Sequence, residues 1–207
     1  MSSGLTPDQL LSTTRAVRRR LDLTRPVARE LISECLRLAV QAPSSTNLQT
    51  WHFVVVTDAA LRAGLAGIYR RAWMAYSDTP PEQPVDGETP GQSSSRYLAA
   101  HLHEVPVHVV PCVEGRPEGQ PAPELAALYG SIMQAAWSFQ LAARARGLGS
   151  VFTTYHLDFE RDAAQLLGIP HERVTQAGLI PVAHTLGGEF RPARRRPMAE
   201  VEHWDGW

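Results

Sequence analysis

Apolar and polar positions along the chain fall into alternating helical and strand periods, separated by turns rich in proline, glycine and serine. Thr6-Pro7-Asp8 reads as an N-cap, a proline at the first helical position and an acid in the first turn, so a short helix is expected to about Thr14. In VARELISECLRLAVQ, residues 27–41, Val27, Leu31, Cys35 and Leu38 share one face of a half-buried helix that Pro43 ends. Trp51 to Thr57 is a valine-rich strand, and Asp58 caps a helix reaching about Tyr76. VPVHVVPCVEG, residues 105–115, is a second strand. Residues 124–146 make the longest helix, stopped at Gly147. Leu125, Leu128, Ile132, Ala135, Ala136, Phe139 and Ala143 trace one apolar face, which Tyr129, Met133 and Trp137 widen. A helix apolar nearly all round calls for burial against a second subunit as well as a sheet. SVFTTYHL then reads as strand-like, DFERDAAQLLGIP as a capped helix ended by Gly168 and Pro170, and TQAGLIPVAHTLGG as a third strand.

Residues 77–96, SDTPPEQPVDGETPGQSSSR, lack a period and are too polar to bury the area that would order them, so a mobile loop is expected. GRPEGQPAP is a second loop. The tail EFRPARRRPMAEVEHWDGW begins basic and ends with two tryptophans. With no repeat and no boundary, residues 1–207 are expected to form one domain, carrying an excursion at 77–96 and an extended tail at 189–207. Alternating helices and strands argue for an α+β or α/β sandwich, one sheet packed by helices.

Composition narrows the function. A formal charge of −1 gives no global field for nucleic acid or anionic membrane. All 20 cationic residues are arginine, so any cationic role falls to a planar, permanently charged group suited to phosphate. Cys35 and Cys112 lie in no CxxC or metal-like spacing and are expected as buried, reduced thiols. MSSGLTPDQLL has no basic segment leading into a long apolar run, and no stretch approaches a membrane span, so a cytoplasmic protein is expected.

Two arginine clusters, Arg15, Arg18, Arg19, Arg20 and Arg191, Arg194, Arg195, Arg196, are either solvated basic patches or two halves of one phosphate grip. APSSTNLQTWHF, residues 42–53, is either a helix terminator with Asn47 in a left-handed turn, or a polar lining of Ser44, Ser45, Asn47 and Gln49 for a ligand at the helix–strand junction. His101-Leu102-His103 could set two ligands on a strand face, but no carboxylate or cysteine pattern completes a metal site. His156 is a candidate proton donor, or a loop histidine contributing backbone. Trp73, Tyr76 and Trp204 read as packing residues, with aromatics near 77–96 able to cover a planar substrate.

APSSTNLQTWHF resembles the flavin motif of the nitroreductase family, Ala-Pro-Ser, then Ser or Gly, x-Asn-x-Gln-Pro-Trp-x-Phe. Three further segments match in order: RAVRRRLD resembles the family's Arg-Arg-Ser-x-Arg stretch, AARARGLGSVFTT its long-helix end and Gly-Leu-Gly turn, and RPARRRPMAEVEHWDGW its basic tail. The resemblance implies an α+β nitroreductase-like fold with a mixed, mainly antiparallel sheet, in an intertwined homodimer holding FMN between subunits. It implies that Arg15, with Arg18 or Arg19 according to register, meets the phosphate and ring, and that Arg194 and Arg195 close on the phosphate. It further implies that Pro43, Ser44, Ser45, Asn47 and Gln49 contact ribityl and ring atoms, and that Thr153, Thr154 and the backbone at His156 and Leu157 approach the ring. Thr50 stands where the family has proline, and Ala16 or Val17 where it has a flavin-binding serine. The implied activity is reduction of nitroaromatics, quinones or similar planar acceptors by NADH or NADPH, in ping-pong hydride transfer through flavin N5. The alternatives are a non-catalytic flavin store, or a specialised relative that oxidises another substrate or cleaves flavin.

Overall fold

The two valine-rich runs pair with each other in the computed structural model of the protein, which describes residues 4–187 and 189–207. Residues 1–3 of the N-terminal stretch and Gly188, at the end of the third expected strand, lie outside the described residues. Strand β1 (Trp51–Val56) runs antiparallel to β2 (Val107–Glu114), with Trp51 opposite Val113 and Val56 opposite His108. On its other side β2 pairs with β4 (Val174–Gln176) and β5 (Ile180–His184), and β5 pairs with β3 (Leu148–Ser150). The order is β1-β2-β5-β3, with β4 beside β2. These ladders are all antiparallel, and a parallel contact enters through the isolated bridge between Ala16 and Ser150.

Six α-helices are described: α1 (Pro7–Thr13), α2 (Arg29–Ala39), α3 (Ala59–Ser77), α4 (Pro90–His101), α5 (Ala122–Arg144) and α6 (Glu160–Leu167). Side chains alternate across β2, as the strand period requires. Val107 and Val109 join Ile32, Cys35, Phe139 and Ile180 on the α2–α5 face, while Val110 and Cys112 join Leu65, Tyr69, Trp73 and Leu179 on the α3 face. Asp58 caps α3 by accepting from the Leu61 N–H at 2.9 Å, and Gly168 ends α6 at φ 68°. Among the described residues no helix is long and apolar enough to cross a membrane. Cys35 and Cys112 are free and buried, and burial pushes their thiols up to about 11 and about 12.

Several expectations change. The third strand is two strands, β4 and β5, parted at Ala177-Gly178, where a side chain on Gly178 would collide with the Phe152 ring. SVFTTYHL contributes only Ser150 to a strand; Thr153 makes a single bridge to Leu179, and Tyr155–Phe159 is a 3-10 turn. Helix α6 has no side-chain cap, because Asp158 lies within that turn. The buried face of α2 is Ile32, Cys35 and Ala39, and Leu38, one position round from Ala39, is 46% exposed. His101 ends α4 and Leu102–Glu104 is a 3-10 turn, so the two histidines share no strand face; His101 Nδ1 lies 2.5 Å from Glu104 Oε1. Trp73 is buried as expected, whereas Tyr76 and Trp204 are exposed. The core face of α5 is buried at Ile132, Ala135, Ala136, Phe139 and Ala143, but Met133 and Trp137 remain open in the single chain.

The largest change is at residues 90–96, which form the first turns of α4 rather than a loop. Thr89 closes a capping box: its hydroxyl accepts from Gln92 N at 3.3 Å, while Gln92 Oε1 accepts from Thr89 N at 2.9 Å. The Glu88 carboxylate accepts from Arg96 Nε at 2.9 and 3.0 Å and ties the helix to its lead-in. Thr89→Ala is expected to cost about 1 kcal/mol, read as a lower urea midpoint. An unchanged midpoint would assign the ordering of α4 to the Glu88–Arg96 pair alone.

Candidate functional site

The polar turn after α2 folds tightly on itself. Ser45–Asn47 is one 3-10 turn, and Thr46, Asn47 and Gln49 take φ of 46°, 56° and 53°. For a β-branched threonine that conformation is costly, and it persists only where surrounding contacts hold it. Those contacts are present. Ser44 Oγ accepts from Gln49 N at 3.1 Å, and Ser45 N donates to Ser131 Oγ on α5 at 3.0 Å. Gln49 Nε2 donates to Asn47 Oδ1 at 3.3 Å. The Thr50 carbonyl accepts from Glu114 N at 2.9 Å, so the turn is pinned to β2 without the rigidity of a proline. Apart from half-buried Ser44, residues 43–49 are exposed.

The N-terminal arginines reach a different place. A cavity of about 700 Å³ is lined by Arg15, Arg18 and Arg195, by Pro90, Gly91 and Ser94 of α4, by Met133, Trp137 and Gln140 of α5, and by Phe152. Arg15 Nη1 donates to the Arg191 carbonyl at 3.0 Å, drawing the C-terminal tail against the N-terminal segment. Arg18 Nη1 donates to Ser94 Oγ at 3.4 Å. No carboxylate lines the cavity, and among the described residues none pairs with Arg15, Arg18 or Arg195. Three guanidiniums facing one space without a counter-charge repel one another, and a polyanionic ligand relieves that repulsion. The flat and apolar side chains of Trp137, Met133 and Phe152 suit a planar body attached to it.

Not every candidate is brought there. Arg19 turns away, donating to Ser93 O at 3.2 Å and Ser93 Oγ at 2.9 Å, with its guanidinium 4.9 Å from the Tyr97 ring centre. Arg194 is exposed and does not line the cavity. Neither do Pro43, Ser44, Ser45, Asn47 or Gln49. Thr153 is buried, its hydroxyl 2.9 Å from the Tyr69 hydroxyl, whereas Thr154 is exposed and Leu157 half-buried. Burial pushes the Tyr69 hydroxyl up to about 12; the Thr153 bond and the charge of Arg18 offset this only in part. His156 is wholly enclosed, and burial lowers its ring to about 4, so it is neutral and sealed from any cavity into which it could donate a proton. That enclosure speaks against the acid role.

Ser94, Phe152 and Gln140 line the cavity without having been singled out in the sequence, and Trp137 was read only as widening the apolar face of α5. Gln140 carried a usable signal: an uncharged polar side chain between Phe139 and Leu141 in the long apolar helix.

The chain matches the model of the Nitroreductase family over residues 11–184. It is 32% identical over 195 residues to the NADH dehydrogenase of Thermus thermophilus, covering 86% of this chain and 87% of that one. It is 33% identical over 129 residues to the 5,6-dimethylbenzimidazole synthase of Rhodospirillum rubrum, covering 60% of this chain and 58% of the relative. The fold superposes on an FMN-dependent nitroreductase of Clostridium difficile with a TM-score of 0.69 at 18% identity, covering 97% and 99% of the two chains. With a family match over most of its length and an α+β antiparallel fold shared with solved members, this chain belongs to the nitroreductase family.

Proposed function

We propose that the protein is an FMN-dependent oxidoreductase that uses NADH or NADPH, acting as a homodimer in the cytoplasm. The observation that carries this reading is the cavity whose three arginines meet no carboxylate among the described residues, beside aromatic and apolar side chains. FMN fits that donor set: its phosphate matches Arg15 and Arg195, and its ring matches Trp137, Met133 and Phe152. When bound, the flavin supplies two-electron chemistry, accepting a hydride from the nicotinamide and reducing a planar acceptor such as a nitroaromatic or quinone. The protein's part is to bind, orient and polarise. Arg18 lines the cavity where Arg19 does not, which supports Arg18 as the cation that would stabilise negative charge developing on a bound ring.

None of residues 43–49 lines the arginine cavity of a single chain, and Met133 and Trp137, which do, are exposed. A second copy docked on that α5 surface would bury both and bring its own Ser44, Asn47 and Gln49 to the site. Two free, buried thiols suit a reducing compartment.

The absorption spectrum of the purified protein tests the reading. A yellow protein, or one that becomes so on FMN addition and bleaches anaerobically with NADH or NADPH, is expected. Protein that takes up no FMN would overturn it. Bound FMN that neither nicotinamide bleaches would instead favour a flavin store.

A further inference from the structure

Gln140 is a polar side chain in a place where packing alone would choose leucine. It is only 7% exposed and sits on α5, directly after the core residue Phe139. Its Nε2 donates to Ser150 Oγ at 3.2 Å, which fixes the amide against β3. Its Oε1 takes no hydrogen bond among the described residues and keeps access to the cavity that Gln140 lines with Arg15, Arg18 and Arg195. Ala16 lines the same cavity, bridges to Ser150 through its backbone, and brings no polar side-chain atom. That oxygen is therefore free to accept from a group bound in the cavity.

The chemistry of that oxygen restricts its partner. It can only accept, and so can the oxygens of an ionised phosphate ester, so phosphate is left to the guanidiniums. The partner must carry an O–H or N–H. We propose that Gln140, braced by Ser150, binds the flavin beyond its phosphate, accepting a hydrogen bond from a ribityl hydroxyl or a ring N–H. This rests on the FMN reading above.

Binding of FMN and of riboflavin, which lacks the phosphate, separates this role from others. Both are followed by quenching of flavin fluorescence in wild type, Gln140→Leu and Arg195→Ala. Gln140→Leu is expected to weaken FMN and riboflavin by the same factor, roughly 5- to 10-fold. Arg195→Ala is expected to weaken FMN and leave riboflavin unchanged. Adding Ala16→Ser to Gln140→Leu puts a hydroxyl back on the cavity wall and is expected to recover part of the loss for both flavins. Should Gln140→Leu melt below the assay temperature, Ser150→Ala serves in its place, with a roughly 3-fold loss expected for both flavins from the unbraced amide. Wild-type FMN binding with riboflavin affinity unaltered in Gln140→Leu, or in Ser150→Ala where that variant serves, would overturn the inference and leave the reading standing. Wild type that binds no FMN would remove both.

Discussion

Replacing Arg15 and Arg195 together with alanine is expected to weaken FMN binding about 100-fold while leaving riboflavin binding unchanged. A hydrogen bond to a charged group contributes roughly 1.5–3 kcal/mol. Arg15 and Arg195 are both exposed, so the lower end applies to each, and two such losses amount to about 3 kcal/mol. The ligand-free protein offers a second, opposite reading. Neither arginine pairs with a carboxylate among the described residues, and both face Arg18 across one cavity. Removing them lessens like-charge repulsion, so the melting temperature without flavin should hold or rise even though Arg15 gives up its bond to the Arg191 carbonyl. Lower stability without flavin, with FMN and riboflavin weakened alike, would mean that these arginines hold the tail in place and do not grip a phosphate.

Much of the scaffold was legible because local chemistry and global packing agree there. Asp58 caps α3, Thr6 and Pro7 open α1, and the valine runs at β1 and β2 each meet a partner strand. Composition misled where it was set against capping. Residues 77–96 are polar throughout, yet Thr89-Pro90-Gly91-Gln92 holds a complete capping box, and Arg96 with Glu88 stabilises the helix that follows. The break between β4 and β5 depends on Phe152 filling the space beside Gly178, a contact between residues distant in sequence that no local period reports. The site divides in the same way. Its residue types were visible in the polar turn and the two arginine clusters. Which arginine faces the cavity was not, because Arg18 and Arg19 are adjacent and only the position of α4, through Ser94 and Ser93, sends one inward and the other away.

Acid should unfold this protein earlier than its carboxylates alone would dictate, because two histidines are wholly enclosed in the neutral form. His108 Nε2 donates to the Leu102 carbonyl at 2.9 Å, which assigns its proton, and its Nδ1 is buried with no partner among the described residues. Burial lowers His108 to about 4, with the Leu102 carbonyl opposing and the charges of Arg62 and His156 adding to the effect. Burial likewise lowers His156 to about 4, opposed by Gln176 and by Glu160, whose carboxylate is already occupied by Arg116 at 3.0 Å. Each ring therefore takes up a proton in the unfolded chain near 6.5 but in the folded chain only near 4. Stability from this source is complete above about pH 6.5 and is lost as pH falls towards 4, where the loss levels off. A shift of this size corresponds to about 3 kcal/mol per histidine, so the pair can remove a large part of a typical domain's 5–15 kcal/mol. Most carboxylates are still ionised between pH 6.5 and 5, so urea midpoints across that window isolate the histidines. The expected result is a steady fall in unfolding free energy through the window, with a shallower slope in His108→Gln and His156→Gln even if each variant is less stable at pH 7.5. A flat profile from pH 6.5 to 5 in the wild type would show that water or a local opening reaches the rings and that they are not held neutral by burial.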